Sequence, residues 1–401
     1  MRAGILHDVY VGNKGASHLV EVLEHWQIGK PLILASQKAW DMIPFTQVLS
    51  NSKIRKQHYR LYSAFTYPLN NEEIGAALEF YMDRDFDSII CLGREGAIDL
   101  GKMIRHYLFD ADEDEIYLFE SFLHPDAEDD VLTRKIMNFR SSRGGRPRVI
   151  AVSSGFGSGA AVSSRAYYLR GRKTCELQDD LLLPDLACYD PFFSIMQSPG
   201  QVAGEGFDAI AHAVEGIWST KAGEEARANS ISALAEIMHA LPEAVDGNAD
   251  ALVSMAHSAI SAARSLDQSG LTGPHALAFY LTSLFRVPHG MGLAVLLPGF
   301  IEYNYALSDD DCQHPGGALW VRQCILDISK TIGRDTPREA ADHLRELRSH
   351  FGMPGTLHDL GVSTRDEIHR LIDGGVNPRQ ARNNPRKLQS EALKTMLYNL
   401  R

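Results

Sequence analysis

Four side chains in the second half of the chain have the types and spacing of a metal site. Asp208 and His212 stand four apart in GFDAIAHAVEG, so on a helix both project from one face. His275 lies in GLTGPHALAF, and His289 follows fourteen residues later in VPHGMG. Neutral imidazoles with one carboxylate form a hard-to-borderline donor set suited to Fe(II) or Zn(II). Four protein ligands usually close a tetrahedral zinc site, so catalysis requires a shell that expands to admit a substrate oxygen. Spacing alone leaves a second reading open. D-x-x-x-H pairs are common on helices, and among sixteen histidines some serve as caps or satisfied core groups. His58, His106, His257, His314 and His358 show no grouped ligand pattern and are read in that way.

Two different textures must position these groups. In the first half, the apolar runs Pro31–Ala35, Ser88–Gly93 and Arg148–Ser153 are short, β-rich and end in small or turn residues. Such runs suit strands of a parallel sheet buried on both faces. Between the first two, Glu72–Arg84 carries apolar residues at helical spacing, which gives the βαβ rhythm of a nucleotide-binding sheet. From about residue 200 the pattern is helical: Ala209–Thr220, Glu224–Ala244, Ala249–Gln268, and then Thr336–Phe351 and Ser390–Leu400. Two prolines punctuate Leu183–Pro191. The expectation is an α/β dinucleotide-binding domain over 1–183 and an all-helical metal-binding domain over 184–401.

Composition narrows the partners. A chain of 401 residues exceeds the size at which single cores usually divide. A net charge of -11 argues against nucleic acid or an anionic membrane surface, both of which need concentrated positive charge. The five cysteines are scattered and odd in number, which fits a reducing compartment better than a disulfide framework. MRAGILHDVY has no charged-then-apolar leader, and no apolar run approaches the roughly 20 residues of a membrane span. A cytoplasmic protein is expected. Residues 109–131 hold ten acidic side chains and are read as a solvated acidic loop.

The ordered motifs resemble those of the iron-dependent (group III) alcohol dehydrogenases. GEGFDAIAHAVEG resembles the family's G-x-D-A-L-x-H-A-x-E segment, and GPHALAFYLTSLFRVPHGMGLAVLLP resembles its second signature, with two histidines at the same separation. LLPDLACYDP resembles the strand and turn before the helical domain, Val9–Gly12 the first strand, and Asn384-Pro385-Arg386 a common ending. The resemblance covers essentially the whole chain, apart from an acidic insertion near 109–131. It implies a dehydroquinate synthase-like architecture: a Rossmann-like parallel sheet followed by an all-α domain. It also implies that Asp208, His212, His275 and His289 are the metal ligands and that the protein is a homodimer.

The same resemblance marks two cofactor loops. GREGAIDLGK is similar to the family's pyrophosphate-binding G-G-G-S-x-x-D-x-A-K, with Gly93, Asp99 and Lys102 retained, Arg94 and Glu95 in place of glycines, and Gly96 in place of serine. VSSGFGSGAA is similar to T-T-x-G-T-G-S-E, keeping Ser153, Gly155, Gly157 and Ser158, with Phe156 for threonine and Gly159 for glutamate. Glycines let backbone N–H groups approach phosphates, and a helix N-terminus adds favourable partial charge. After the second strand, Ser36 occupies the place where NAD-preferring members often carry an acid, with Lys38 nearby, so NADPH is expected to be tolerated or preferred over NADH.

The implied activity is a metal-dependent, NAD(P)-linked interconversion of an alcohol with an aldehyde or ketone. Phe279 stands where many members place a proton-transferring histidine, so no catalytic acid–base residue is assigned. HALAF also resembles the HA-x-S-Y of members acting on phosphonate aldehydes or sugar acids. A lyase related to dehydroquinate synthase and a homologue without dehydrogenase activity are the competing readings.

Overall fold

The computed structural model describes residues 7–123, 130–143, 145–171, 173–194, 197–375, 378–388 and 390–401. They form two compact units, Met1–Gly155 with Ala160–Met196, and Phe156–Gly159 with Gln197–Arg401.

The first unit is built on strands β1 (Asp8–Val11), β2 (Pro31–Leu34), β3 (Arg60–Tyr62), β4 (Ser88–Gly93), β5 (Arg148–Ser153), β6 (Arg165–Arg170), β7 (Lys173–Gln178) and β8 (Leu186–Tyr189). Six of them make one parallel sheet in the order β1-β8-β5-β4-β2-β3, while β6 and β7 pair as a separate antiparallel hairpin. β2, β4 and β8 are buried along their whole length, as expected for parallel strands covered on both faces. The helices that concern the site are α1 (Gln37–Met42), α2 (Asn71–Met82) and α3 (Glu95–Arg105). α2 starts where it does because Asn70 and Glu73 form a capping box: each side chain accepts a hydrogen bond from the other's backbone N–H.

α3 lies close against the sheet. A Cβ on Gly101 would fall 2.2 Å from Cys91 Sγ, so only glycine permits this seam. One turn further on, buried Arg105 pairs with Asp185 at 2.7 Å and donates to the carbonyls of Leu181 and Leu183. Asp185 also accepts from Val149 N, which ties the approach to β8 onto β5.

The second unit has no strand among its described residues. Its principal helices are α4 (Pro199–Trp218), α5 (Glu224–Val245), α6 (Ala249–Ser269), α7 (Gly273–Phe285), α8 (His289–Tyr305), α9 (Pro337–His350) and α10 (Ser390–Asn399). α4 begins at a Ser198/Gln201 capping box with Pro199 in its first position. It is buried without interruption from Val202 to Trp218, which makes it the unit's central rod. No helix among the described residues is long and apolar enough to cross a membrane.

The expected α/β-then-α architecture is present, with three corrections. β8 pairs with β1 and β5, so it belongs to the first unit, and the division falls after residue 196 instead of at 183/184. The β6–β7 hairpin was not foreseen. The acidic stretch is not a loop throughout: Glu113–Leu123 is helical, with Glu113, Asp114 and Glu115 in the first turn, where negative charge opposes the helix dipole favourably. The remainder of that stretch at 124–129 lies outside the described residues.

Gly101→Ala should overpack the α3–β4 seam and lower the midpoint of thermal unfolding, at a cost of about 1–3 kcal/mol. An unchanged midpoint would show slack where the coordinates show contact.

Candidate functional site

In the second unit, α4 carries three polar residues along one buried stripe. Asp208, His212 and Glu215 recur at spacings of four and three, so they share a face. The N-terminus of α7 meets that stripe. Glu215 accepts hydrogen bonds from Thr272 N at 2.6 Å and Thr272 Oγ1 at 2.8 Å, and its Oε1 lies 2.5 Å from His275 Nδ1. A carboxylate in this position satisfies donors that a helix start leaves open and complements its partial positive charge. Trp218 Nε1 in turn donates to Thr272 Oγ1 at 3.0 Å, which fixes the hydroxyl. With Nδ1–H committed to Glu215, Nε2 is the ring nitrogen left to face Asp208, the arrangement that orients ligand histidines in metal sites.

That Nε2 lies 3.4 Å from Asp208 Oδ1. Both atoms are buried and neither makes a hydrogen bond. His289, the first residue of α8, completes a group with Asp208 and His275 whose donor atoms lie within 4.8 Å of one another. α8 reaches this position because a Cβ on Gly290 would sit 2.0 Å from Gly204 O, so the two backbones touch where glycine allows it. His212 stands beside the group and outside that sphere: its Nε2 is 3.7 Å from Asp208 Oδ1, while its ring stacks on His275 with centroids 4.7 Å apart. Asp208, His212 and His275 are buried and His289 is half-buried, so the cluster has one open side.

The electrostatics suit a cation. Burial pushes the Asp208 carboxyl up, but the three surrounding histidines outweigh it and hold the group well below the usual carboxylate range. Burial lowers His212 to about 4, so it is a neutral donor at neutral pH. Burial also acts downward on His275, yet Glu215 and Asp208 prevail and raise it to about 9, so at neutral pH Nε2 carries a proton that a metal ion would have to displace. A divalent ion held by Asp208 and His275 would engage two buried polar atoms, Oδ1 and Nε2, that have no hydrogen-bond partner, with the Nε2 proton released on binding. The donor set, one carboxylate and imidazoles, fits Fe(II) or Zn(II).

In the first unit, Ser36, Gly93 and Ser153 stand at or just past the carboxyl ends of adjacent parallel strands β2, β4 and β5, with Gly93 and Ser153 in register. The chain leaves β2 toward β3 on one side and leaves β4 toward β5 on the other. Such a reversal opens a crevice at the strand ends, the usual ligand position in open α/β sheets. Gly93 has φ +132°, a conformation that favours glycine. Arg94 is the N-cap of α3 without a side-chain cap; its carbonyl takes the N–H groups of Ala97 and Ile98, so those of Glu95 and Gly96 are the ones placed to face an anion. Arg94 Nε is 3.7 Å from Glu95 Oε2, so the acid that replaces a loop glycine is offset by its neighbour. Gly96 packs beside Tyr67, and Ser36 Oγ caps α1 by accepting from Ala39 N at 3.1 Å.

Other residues of the expected cofactor set have different surroundings. Lys102 is fully buried, with Nζ donating to Arg165 O at 2.6 Å and to Ser163 O at 3.1 Å. Asp99 is buried too, and accepts from Tyr167 N at 3.2 Å; burial raises its carboxyl to about 7. Both hold α3 to the region of the β6 strand instead of lining the loop. In the second loop, Phe156 is buried, and the N–H groups of Phe156 and Gly157 both donate to Glu205 Oε2, at 2.5 and 3.3 Å. Those two donors are therefore committed to protein. Ser158 is half-buried, and Ser153 Oγ donates to Gly155 O.

Glu205 and Glu215 were not singled out from the sequence. The signal was present for both. Glu205 precedes Asp208 by three residues, and Glu215 follows His212 by three, so both extend the same helical stripe.

Comparison with known proteins points one way. The model of the family described as iron-containing alcohol dehydrogenase matches residues 7–191, and that of the C-terminal part of the Fe-containing alcohol dehydrogenase family matches residues 202–400. The 1,3-propanediol dehydrogenase of Citrobacter freundii is 29% identical over 215 residues, 51% of this chain and 52% of that protein. The chain thus spans about half the length of that relative. Long-chain-alcohol dehydrogenase 1 of Geobacillus thermodenitrificans is 28% identical over 292 residues, 71% of this chain and 68% of the relative. Among solved structures, sulfoacetaldehyde reductase from Bifidobacterium kashiwanohense in complex with NAD+ superposes with a TM-score of 0.76 at 19% identity, covering 99% of this chain and 97% of that one. The alcohol dehydrogenase from Oenococcus oeni gives 0.77 at 21% identity, covering 98% of each chain. At these identities the structural likeness shows the fold.

Replacing Glu215 by glutamine removes the charge and turns one of its two acceptor oxygens into a donor, so Thr272 and His275 Nδ1 can no longer both be satisfied. Fe(II) or Zn(II) affinity, measured by chelator competition, should fall about 10–100-fold while circular dichroism stays unchanged. Undiminished affinity would mean that His275 does not depend on Glu215.

Proposed function

Since the chain belongs to the iron-containing alcohol dehydrogenase family, we propose that it is a metal-dependent, NAD(P)-linked oxidoreductase interconverting an alcohol with an aldehyde or ketone. The observation that carries this reading is the meeting of Asp208, His275 and His289, with donor atoms within 4.8 Å of one another and two of them buried without a hydrogen-bond partner. In this proposal His212 is the fourth ligand and the metal is Fe(II) or Zn(II). When bound, the metal supplies a Lewis acid for the carbonyl oxygen and the nicotinamide supplies the hydride.

The protein's own groups have distinct tasks. Glu215 holds His275 in one tautomer and orientation. Gly93, Arg94, Glu95, Gly96 and Ser153, at the carboxyl end of the sheet, bind the dinucleotide, with the first turn of α3 directed to the pyrophosphate. Ser158 contributes from the second loop, whose backbone Glu205 holds in place. Asp99 and Lys102 serve this site by fixing α3. Ser36 and Lys38 offer no carboxylate to repel a 2′-phosphate, so NADPH is accepted at least as well as NADH. Phe279 packs on His289 with ring centroids 4.6 Å apart and has no proton to give. The proton for the product oxygen therefore comes through water or a ribose hydroxyl.

A specialised carbonyl substrate, a phosphonate aldehyde or sugar acid, is the second reading, favoured by Phe279 in HALAF. We place the protein in the cytoplasm, in keeping with its free cysteines, and expect a homodimer acting on a small molecule.

The test is fluorescence titration of metal-loaded protein with NADH and with NADPH, followed by aldehyde reduction. Saturable binding, with NADPH at least as tight as NADH, and turnover that chelators abolish are expected. Binding of neither cofactor would leave a homologue that has lost the dehydrogenase reaction. Phe279→His should raise kcat with simple alcohols by up to about a hundredfold if proton transfer limits the rate. An unchanged kcat would place the limiting step elsewhere.

A further inference from the structure

A cavity with a mixed polar and apolar lining lies in the helical unit, built from groups the proposed reaction does not use. It has a volume of about 630 Å³, within the range of small-molecule sites, and is walled by α8, α9, the turn at Gly355–Thr356 and α10. Three arginines line it: Arg345, Arg348 and Arg386. Two are already neutralised. Arg345 pairs with Glu302 and Asp342 at 2.7 Å each, and Arg386 pairs with Asp311 at 2.7 Å.

Arg348 differs. It is 92% buried, as its 8% exposure shows, and no carboxylate pairs with it among the described residues. Nη1 has a structural task. Pro298 lies inside α8 and lacks an N–H, so the carbonyl of Ala294 four residues earlier has no helical donor, and Arg348 Nη1 donates to it at 3.1 Å. That task leaves the rest of the fork over. Nε is buried without a hydrogen bond, and Nη2 stands beside Gly355 at the cavity wall. Burial, together with the charge of Arg345, lowers the pKa of this guanidinium. Asp359 acts on it through charge but forms no ion pair with it, and a buried cation without a paired carboxylate is costly, a cost that an anion in the cavity would reduce. Beside the arginines, Met396 and Leu400 of the α10 region give the cavity an apolar flank.

We propose that this cavity binds a small organic anion, a carboxylate or a phosphate monoester, with its head group on Arg348 and its apolar stem against Met396 and Leu400. Nη2, the nitrogen of Arg348 at the cavity wall, can donate to either head group, and a short alkyl chain fits the apolar flank. The site is separate from the Asp208–His275–His289 cluster in residues and in chemistry, and it does not depend on which substrate that cluster serves.

The test is calorimetric titration of the metal-loaded full chain with butyl phosphate and with butyrate at constant ionic strength, against sodium chloride as control. Saturable binding of at least one probe is expected, and the stronger of the two identifies the head group. Arg348→Gln removes the charge but keeps an amide donor for the Ala294 carbonyl, and it should weaken binding at least about tenfold. Met396→Glu leaves Arg348 in place and puts a carboxylate at the flank, so it should abolish binding even if the first variant fails to fold. Absence of saturable binding by both probes, or binding that survives Met396→Glu at wild-type strength, would overturn the proposal.

Discussion

The Glu215 carboxylate joins two segments that the chain separates by more than fifty residues. It sits fully buried on α4, closes the N-terminus of α7 through Thr272, and holds His275 by Nδ1. Burying such a group without partners would cost several kcal/mol. Here its hydrogen bonds offset that cost and also set the geometry of the cluster. With His275 fixed, its Nε2 must face Asp208 seven residues back along α4, and the close contact of Gly290 with Gly204 brings His289 to the same point. The cluster is thus a consequence of how three helices pack.

The sheet obeys a different constraint. Parallel strands buried on both faces leave only their ends open to a ligand, and the reversal of chain direction between β2 and β4 decides where. Gly93 and the uncapped start of α3 stand at that place. The groups behind it, Asp99, Lys102 and Arg105, are buried and engaged with backbone, and so hold the helix to its neighbours. The two units therefore differ physically: one presents backbone N–H groups at the ends of its strands, the other a buried polar cluster.

Much of this was legible in the sequence because it rests on local periodicity. β4 and β5 have the bounds their apolar runs suggest, and Asp208 and His212 share a helix as their spacing implies. The β6–β7 hairpin pairs residues such as Tyr167 with Glu176, and its local signal, the aromatic run RAYYLR followed by Gly171 with φ +60°, was passed over. What was illegible depends on long-range pairing. The place of β8 follows from pairing with β1, far away in the chain, so proline punctuation set the boundary too early. Lys102 and Phe156 matched cofactor motifs by position, yet carbonyl partners took the amine of one and Glu205 took the N–H of the other. A motif match carries the location of a side chain; it does not carry the direction in which it is spent.

The central claim is that the α4–α7–α8 cluster holds a divalent metal through imidazole and carboxylate donors. X-ray absorption spectroscopy on protein loaded with Fe(II) or Zn(II) tests it most directly. The account predicts outer-shell scattering from three imidazole rings, with nitrogen and oxygen donors at about 2.0–2.2 Å for zinc. A first shell of oxygen alone, without imidazole scattering, would contradict it.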